Sequence, residues 1–154
     1  MQPQRPAADQ LARLHRFAGR WAGTEHASPS PWGPGGPSIG RSAFHVALGG
    51  TALMQEYQQE KDGVVVFDGH GVFLIEPDSG DVLWWWFDTM GFPPEPARGR
   101  WQGDTLHFEK TTPRGEARYR YEFAEDRYAF VIENRFPGQS EFAEFIRADY
   151  LRQD

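Results

Sequence analysis

The spacing of apolar positions changes once along the chain. From Ala7 to Ala18, Leu11, Leu14 and Phe17 recur every three residues on one face, which predicts a helix with Asp9 as its N-cap and Gly19 as its stop. After Gly19 the period falls to two. Ten segments carry it: Arg20 to Ser28, Ile39 to Leu48, Thr51 to Lys61, Val64 to Glu76, Asp81 to Thr89, Ala97 to Gln102, Thr105 to Thr112, Glu116 to Glu125, Tyr128 to Phe136 and Glu141 to Leu151. Residues with a mechanical reason to turn stand between them, among them Gly49-Gly50, Lys61-Asp62-Gly63, Pro77-Asp78-Ser79-Gly80, Gln102-Gly103-Asp104, Pro113-Arg114-Gly115, Glu125-Asp126-Arg127 and Pro137-Gly138.

Successive hairpins without long crossovers make an antiparallel meander, and a ten-strand meander removes its own edges most economically by closing. The expected fold is therefore all-β: a ten-stranded antiparallel meander β-barrel over about residues 20–151, with the short N-terminal helix (about 7–18) against one end, in one domain spanning residues 1–154. A two-sheet sandwich is the alternative. The segments Ser28 to Ser38 and Met90 to Pro96, rich in Pro and Gly around Trp32 and Phe92, read as loops that do not pair in a central strand; their aromatics are expected to be surface plugs packed on their own neighbours, with a lid over a barrel mouth as the alternative.

Composition narrows the function more than it defines it. Sixteen Lys and Arg stand against 22 Asp and Glu, for a formal charge of −6, a balance that repels nucleic-acid backbones and anionic membranes. There is no cysteine, which removes disulfides, thiolate metal sites and cysteine nucleophiles. The longest wholly apolar run, Val82 to Phe87, is six residues, far short of the ~18 that suggest a membrane span. Met1 to Asp9 holds two prolines and no apolar stretch, so no signal peptide is expected and the expected location is cytoplasmic.

Phe17-Ala18-Gly19-Arg20-Trp21-Ala22-Gly23-Thr24 is a G-x-W-x-G pattern straight after a short helix, and it resembles the first strand of lipocalin-like (calycin) barrels. With Leu48-Gly49-Gly50, Gln55-Glu56-Tyr57, Phe67-Asp68-Gly69-His70-Gly71 and Trp86-Phe87-Asp88-Thr89-Met90-Gly91, in that order, it resembles the bacterial family of unknown function DUF1579 over most of the chain. A looser resemblance, through Phe44-His45, Tyr57 and Gly71 to Val82, is to nitrobindin-type haem barrels. Their haem ligand is a histidine near the C-terminus. This chain has no histidine after His107, so no cofactor, haem included, is expected. The Arg-x-Tyr carboxylate clamp of fatty-acid-binding barrels is also missing, since the last strand reads Arg147-Ala148-Asp149-Tyr150.

The run Trp84-Trp85-Trp86-Phe87-Asp88 holds the least ordinary chemistry. Alternation puts Trp84, Trp86 and Asp88 on one face, and Trp85 and Phe87 on another that a second copy of the chain could cover as a homodimer. Trp21 and Glu25 share the inward face of the first strand, and Tyr119, Tyr121 and Phe123 that of the eighth. Two inward carboxylates need donors, and His45, Tyr57, His70 and Tyr121 are the candidates by pattern. The histidines show no metal-ligand spacing, and no metal site is expected. The resulting expectation is a carrier or sensor for a small apolar ligand, with a cavity lined by Trp21, Glu25, His45, Tyr57, His70, Trp84, Trp86, Asp88 and Tyr121. Two alternatives stand beside it. One is a cofactor-free isomerase or cyclase pairing His45 or His70 with Glu25, Glu56 or Asp88. The other is a structural dimer with a filled core.

Overall fold

In the computed structural model, which describes residues 4–154, a short helix leads into ten strands that close on themselves. The elements are α1 (Ala8–Leu14), a 3-10 turn (His15–Phe17), β1 (Gly19–Ala27), β2 (Gly36–Ala47), β3 (Ala52–Lys61), β4 (Val64–Ile75), β5 (Val82–Asp88), β6 (Ala97–Gln102), β7 (Thr105–Thr112), β8 (Gly115–Ala124), β9 (Arg127–Arg135) and β10 (Ala143–Gln153). Each strand pairs antiparallel with its sequence neighbour. The ladder between β1 and β10, from Arg20↔Gln153 to Ala27↔Ile146, closes the barrel. The expected all-β meander barrel is the observed fold, and the sandwich alternative falls. The expectation about the first nine residues bears partly on residues 1–3, which lie outside the described residues. No helix among the described residues is long and apolar enough to cross a membrane.

The helix serves as a plug. Leu14 and Phe17 are fully buried, and the Phe17 ring sits 4.7 Å from Phe123, 5.0 Å from Tyr121 and 5.1 Å from Phe44. Burying a side chain of this size contributes roughly 1.5–3 kcal/mol. Trp21 secures the plug by donating its indole N–H to the Phe17 carbonyl at 2.8 Å. From outside, Arg152 lies over the Trp21 ring at 4.2 Å and donates to the carbonyls of Ala18 and Arg16.

Three local expectations are corrected. The residue before α1 is Ala7, without a side-chain cap; Asp9 lies inside the first turn, where a carboxylate still complements the helix dipole. The Pro/Gly segment does enter the sheet at its end: Gly36, Pro37 and Ser38 pair with Ala27, His26 and Glu25. Proline is tolerated there because β2 meets β3 only from Ile39 onward, so residues 36–38 form a local edge with no second neighbour requiring the missing N–H. Finally, β10 begins at Ala143 rather than Glu141 and slips register between Glu144 and Ile146, with Phe145 as the extra residue.

Candidate functional site

Above the plug the barrel encloses a cavity of about 450 Å³, within the ~300–1,000 Å³ usual for small-molecule sites. Its floor is built by Gln55 on β3, Trp84 on β5 and Tyr121 on β8, and Tyr121 is also in contact with the Phe17 ring of the plug. Trp84 stacks on Phe73 at 5.3 Å with planes 10° apart and meets Tyr119 edge-on at 5.0 Å. Two glycines of β4 make room for these large side chains. A Cβ at Gly69 would stand 2.1 Å from the Trp86 ring, and one at Gly71 would stand 2.5 Å from Gln55 Oε1 and 3.0 Å from Trp84 Nε1.

One wall carries a buried carboxylate. Glu25 is 3% exposed, and its two oxygens accept hydrogen bonds from different phenols, Tyr57 Oη to Oε1 and Tyr150 Oη to Oε2, both at 2.6 Å. Gln59 Nε2 lies at 3.5 Å from Oε1. Gly40 leaves the space for this cluster, since a Cβ there would stand 2.2 Å from Tyr150 Oη. Burial first, and then the Glu25 charge, push the Tyr57 and Tyr150 phenols up, so both stay protonated and donate. Burial likewise raises Tyr121 and Tyr128, and takes Tyr119 to about 12.

At the mouth, Asp88 accepts from Trp86 Nε1 and from the Met90 backbone N–H, each at 2.8 Å. That Asx-type bond turns the chain into the proline loop. Strands β5 and β6 share only the pairs Val82↔Gly99, Leu83↔Arg98 and Trp84↔Ala97, so beyond Trp84 the wall is completed by side chains and by this loop. Its Phe92 lies under Arg114 at 4.3 Å. Lys110 faces the same opening, and burial, helped by Arg114 against the opposing charges of Glu95 and Asp88, lowers its pKa. Across the mouth Trp32 packs on Phe136 at 5.5 Å and on the bulged Phe145 at 5.3 Å. Both loops thus contribute to the lining of the mouth, as the lid alternative had it.

Of the nine expected site residues, Glu25, Tyr57, Trp84, Trp86, Asp88 and Tyr121 line this cavity. Trp21 is inside the barrel but below the floor, in the plug. His45 and His70 are corrected: both point outward. His45 is exposed beside the inward Phe44, and His70 lies on the outer face with Nδ1 2.7 Å from Glu56 Oε1. The imidazole–carboxylate pair therefore forms on the outside, in the lining of an open depression that also holds Arg20 and Phe87, and not in the barrel interior.

The cavity has no histidine among its lining residues, so it offers no imidazole to a haem iron and does not fit the axial ligation of the haem barrels. No group of three or more potential metal ligands exists among the described residues. Sequence reasoning missed Tyr150, Gln55 and Lys110. For Tyr150 the signal was present, because Ala148 and Tyr150 alternate against Arg147 and Asp149 as an inward face does.

The fold recurs among solved structures. Rv2717c from M. tuberculosis superposes with a TM-score of 0.75 at 20% identity, over 97% of this chain and 99% of that one. The S-type phycobiliprotein lyase CPES from Guillardia theta superposes with a TM-score of 0.66 at 10% identity, over 95% of this chain and 92% of that one. No curated protein matches in sequence. The profile of the family described as "Protein of unknown function (DUF1579)" matches residues 7–152. With nearly the whole chain matched, and with the barrel that the G-x-W-x-G opening led one to expect, this protein belongs to the DUF1579 family.

Proposed function

We propose that this barrel holds a small, mostly apolar ligand, neutral or cationic, as a carrier or sensor, and that it does so without haem. The observation that supports this best is the Glu25 carboxylate, buried in the wall of an aromatic cavity and held by two neutral phenols. An ionised carboxylate has about four acceptor positions. Tyr57 and the more distant Gln59 occupy Oε1 and Tyr150 takes one position on Oε2, which leaves capacity on Oε2 for a ligand N–H or O–H. An anionic head group at that depth would face a like charge in a medium where such repulsion is strong. The lysines near the cavity, Lys61 and Lys110, stand toward the mouth, away from the floor.

Tryptophan fluorescence titrated with dodecylamine, dodecanol and dodecanoate tests the reading. The amine and the alcohol should quench saturably and more tightly than the carboxylate, and Glu25→Gln should narrow the preference for amine over carboxylate. Tight quenching by dodecanoate, unchanged in Glu25→Gln and Asp88→Ala, would show that basic groups and not the acids select the ligand.

A further inference from the structure

The cavity floor contains two polar atoms whose partners are missing from the protein itself. Gln55 and Trp84 are 4% and 5% exposed, and Gln55 Oε1 and Trp84 Nε1 have no hydrogen-bond partner among the described residues. Their neighbours are satisfied. The Trp86 indole donates to Asp88, the Trp21 indole to Phe17, and Gln55 Nε2 to Ser42 Oγ at 3.3 Å. Trp101 Nε1 also lacks a partner, but it does not face the cavity. A buried donor or acceptor left unpaired is costly, and natural interiors seldom keep one without a use.

The two atoms also sit together. A Cβ on Gly71 would stand 2.5 Å from Gln55 Oε1 and 3.0 Å from Trp84 Nε1, so the acceptor and the donor are no more than about 5.5 Å apart. A single oxygen bridges the two only by shifting them apart from their present positions, since neither atom is exposed to the cavity as the side chains stand. It must accept from the Trp84 N–H and donate to the Gln55 carbonyl. A ligand hydroxyl does both, as does the water it would displace, whereas a carboxylate or ether has no proton for Gln55 and an ammonium has no lone pair for Trp84.

Building on the ligand-binding reading above, we infer that Gln55 and Trp84 form a hydroxyl-recognition site at the cavity floor, so that the ligand is an apolar alcohol or phenol inserted hydroxyl first. The surroundings suit a flat phenol: the Phe73–Trp84 stack and the Tyr119 edge flank the site, and the aromatic walls continue toward the mouth.

Calorimetric titration with 2-naphthol, 2-methoxynaphthalene and 2-methylnaphthalene separates the requirements, because the three share a ring and differ in donor and acceptor. The expected order is naphthol tightest, with an advantage of about tenfold or more over methylnaphthalene, the scale of one or two net hydrogen bonds. Gln55→Leu should erase the advantage of naphthol over the methoxy compound, and Trp84→Phe should erase the advantage of the methoxy over the methyl compound. In the unsubstituted protein, the Trp84 indole proton should move downfield in nitrogen-resolved NMR spectra on adding naphthol and stay in place with methylnaphthalene. That readout holds even if a variant fails to fold. Equal affinity for the three probes with a stationary Trp84 proton would overturn this inference and leave the cavity reading intact. Methoxynaphthalene binding as tightly as naphthol would overturn the donor half and with it the hydroxyl assignment. Failure of all three to bind would overturn the cavity reading itself and this inference with it.

Discussion

Removing the Glu25 side chain should destabilise the barrel more than any other single change in the cavity wall. In Glu25→Ala the Tyr57 and Tyr150 hydroxyls, each 2.6 Å from a carboxylate oxygen, lose their acceptors in a buried setting. An orphaned buried hydroxyl costs about 1–3 kcal/mol, and the release of Glu25's own desolvation offsets part of the total for the two, so the net loss should be about 2–4 kcal/mol. A domain of this size is stable by about 5–15 kcal/mol, so the loss is a sizeable fraction of the total. Urea denaturation followed by circular dichroism reads it as a lower midpoint at unchanged slope. The decisive comparison is the background Tyr57→Phe/Tyr150→Phe, which has no hydroxyls to orphan. There the same Glu25→Ala should cost little or even stabilise, because it removes a buried carboxylate left with only the long contact to Gln59. If Glu25→Ala costs less than about 1 kcal/mol in the parent, or the same in both backgrounds, the two phenols do not depend on Glu25 and the cluster is incidental.

All five tyrosines have raised pKa values, chiefly through burial, and phenols raised in the fold stabilise it fully below the unfolded value of 10 and lose that contribution as pH rises through the folded values. Tyrosinate absorbance at 295 nm should therefore stay flat through pH 10 and then rise together with loss of the circular dichroism signal; a gradual rise near pH 10 in folded protein would contradict this. Gly69→Ala puts a Cβ 2.1 Å from the Trp86 ring and should cost about 1–3 kcal/mol and shift tryptophan emission as that indole is displaced, so an unshifted spectrum at full stability would show that the ring has room to move. Haemin mixed with the protein should give no sharp Soret band; one abolished by substituting a single histidine would mean that an imidazole reaches the interior after all.

The local features were legible because their causes are local. Leu11, Leu14 and Phe17 repeat at helical spacing, Gly19 ends the repeat, and Asp62-Gly63, with φ of 52° and 79°, supplies the two positive values a tight hairpin requires. Tyr119, Tyr121 and Phe123 alternate against arginines and glutamate, and they face inward as that pattern says. His70 went astray for a definable reason: its neighbours Gly69 and Gly71 occupy the inward face of β4, and a glycine displays no polarity from which a face can be read. The indoles of Trp84 and Trp86 fill those gaps from the adjoining strand, a fact that only the β4–β5 register supplies. Glu25 meets Tyr57 across 32 positions of sequence and Tyr150 across 125. Alternation assigns each of these residues to the interior. Which of them touch is decided by barrel closure, because the ladder between β1 and β10 sets the height at which every inward side chain stands.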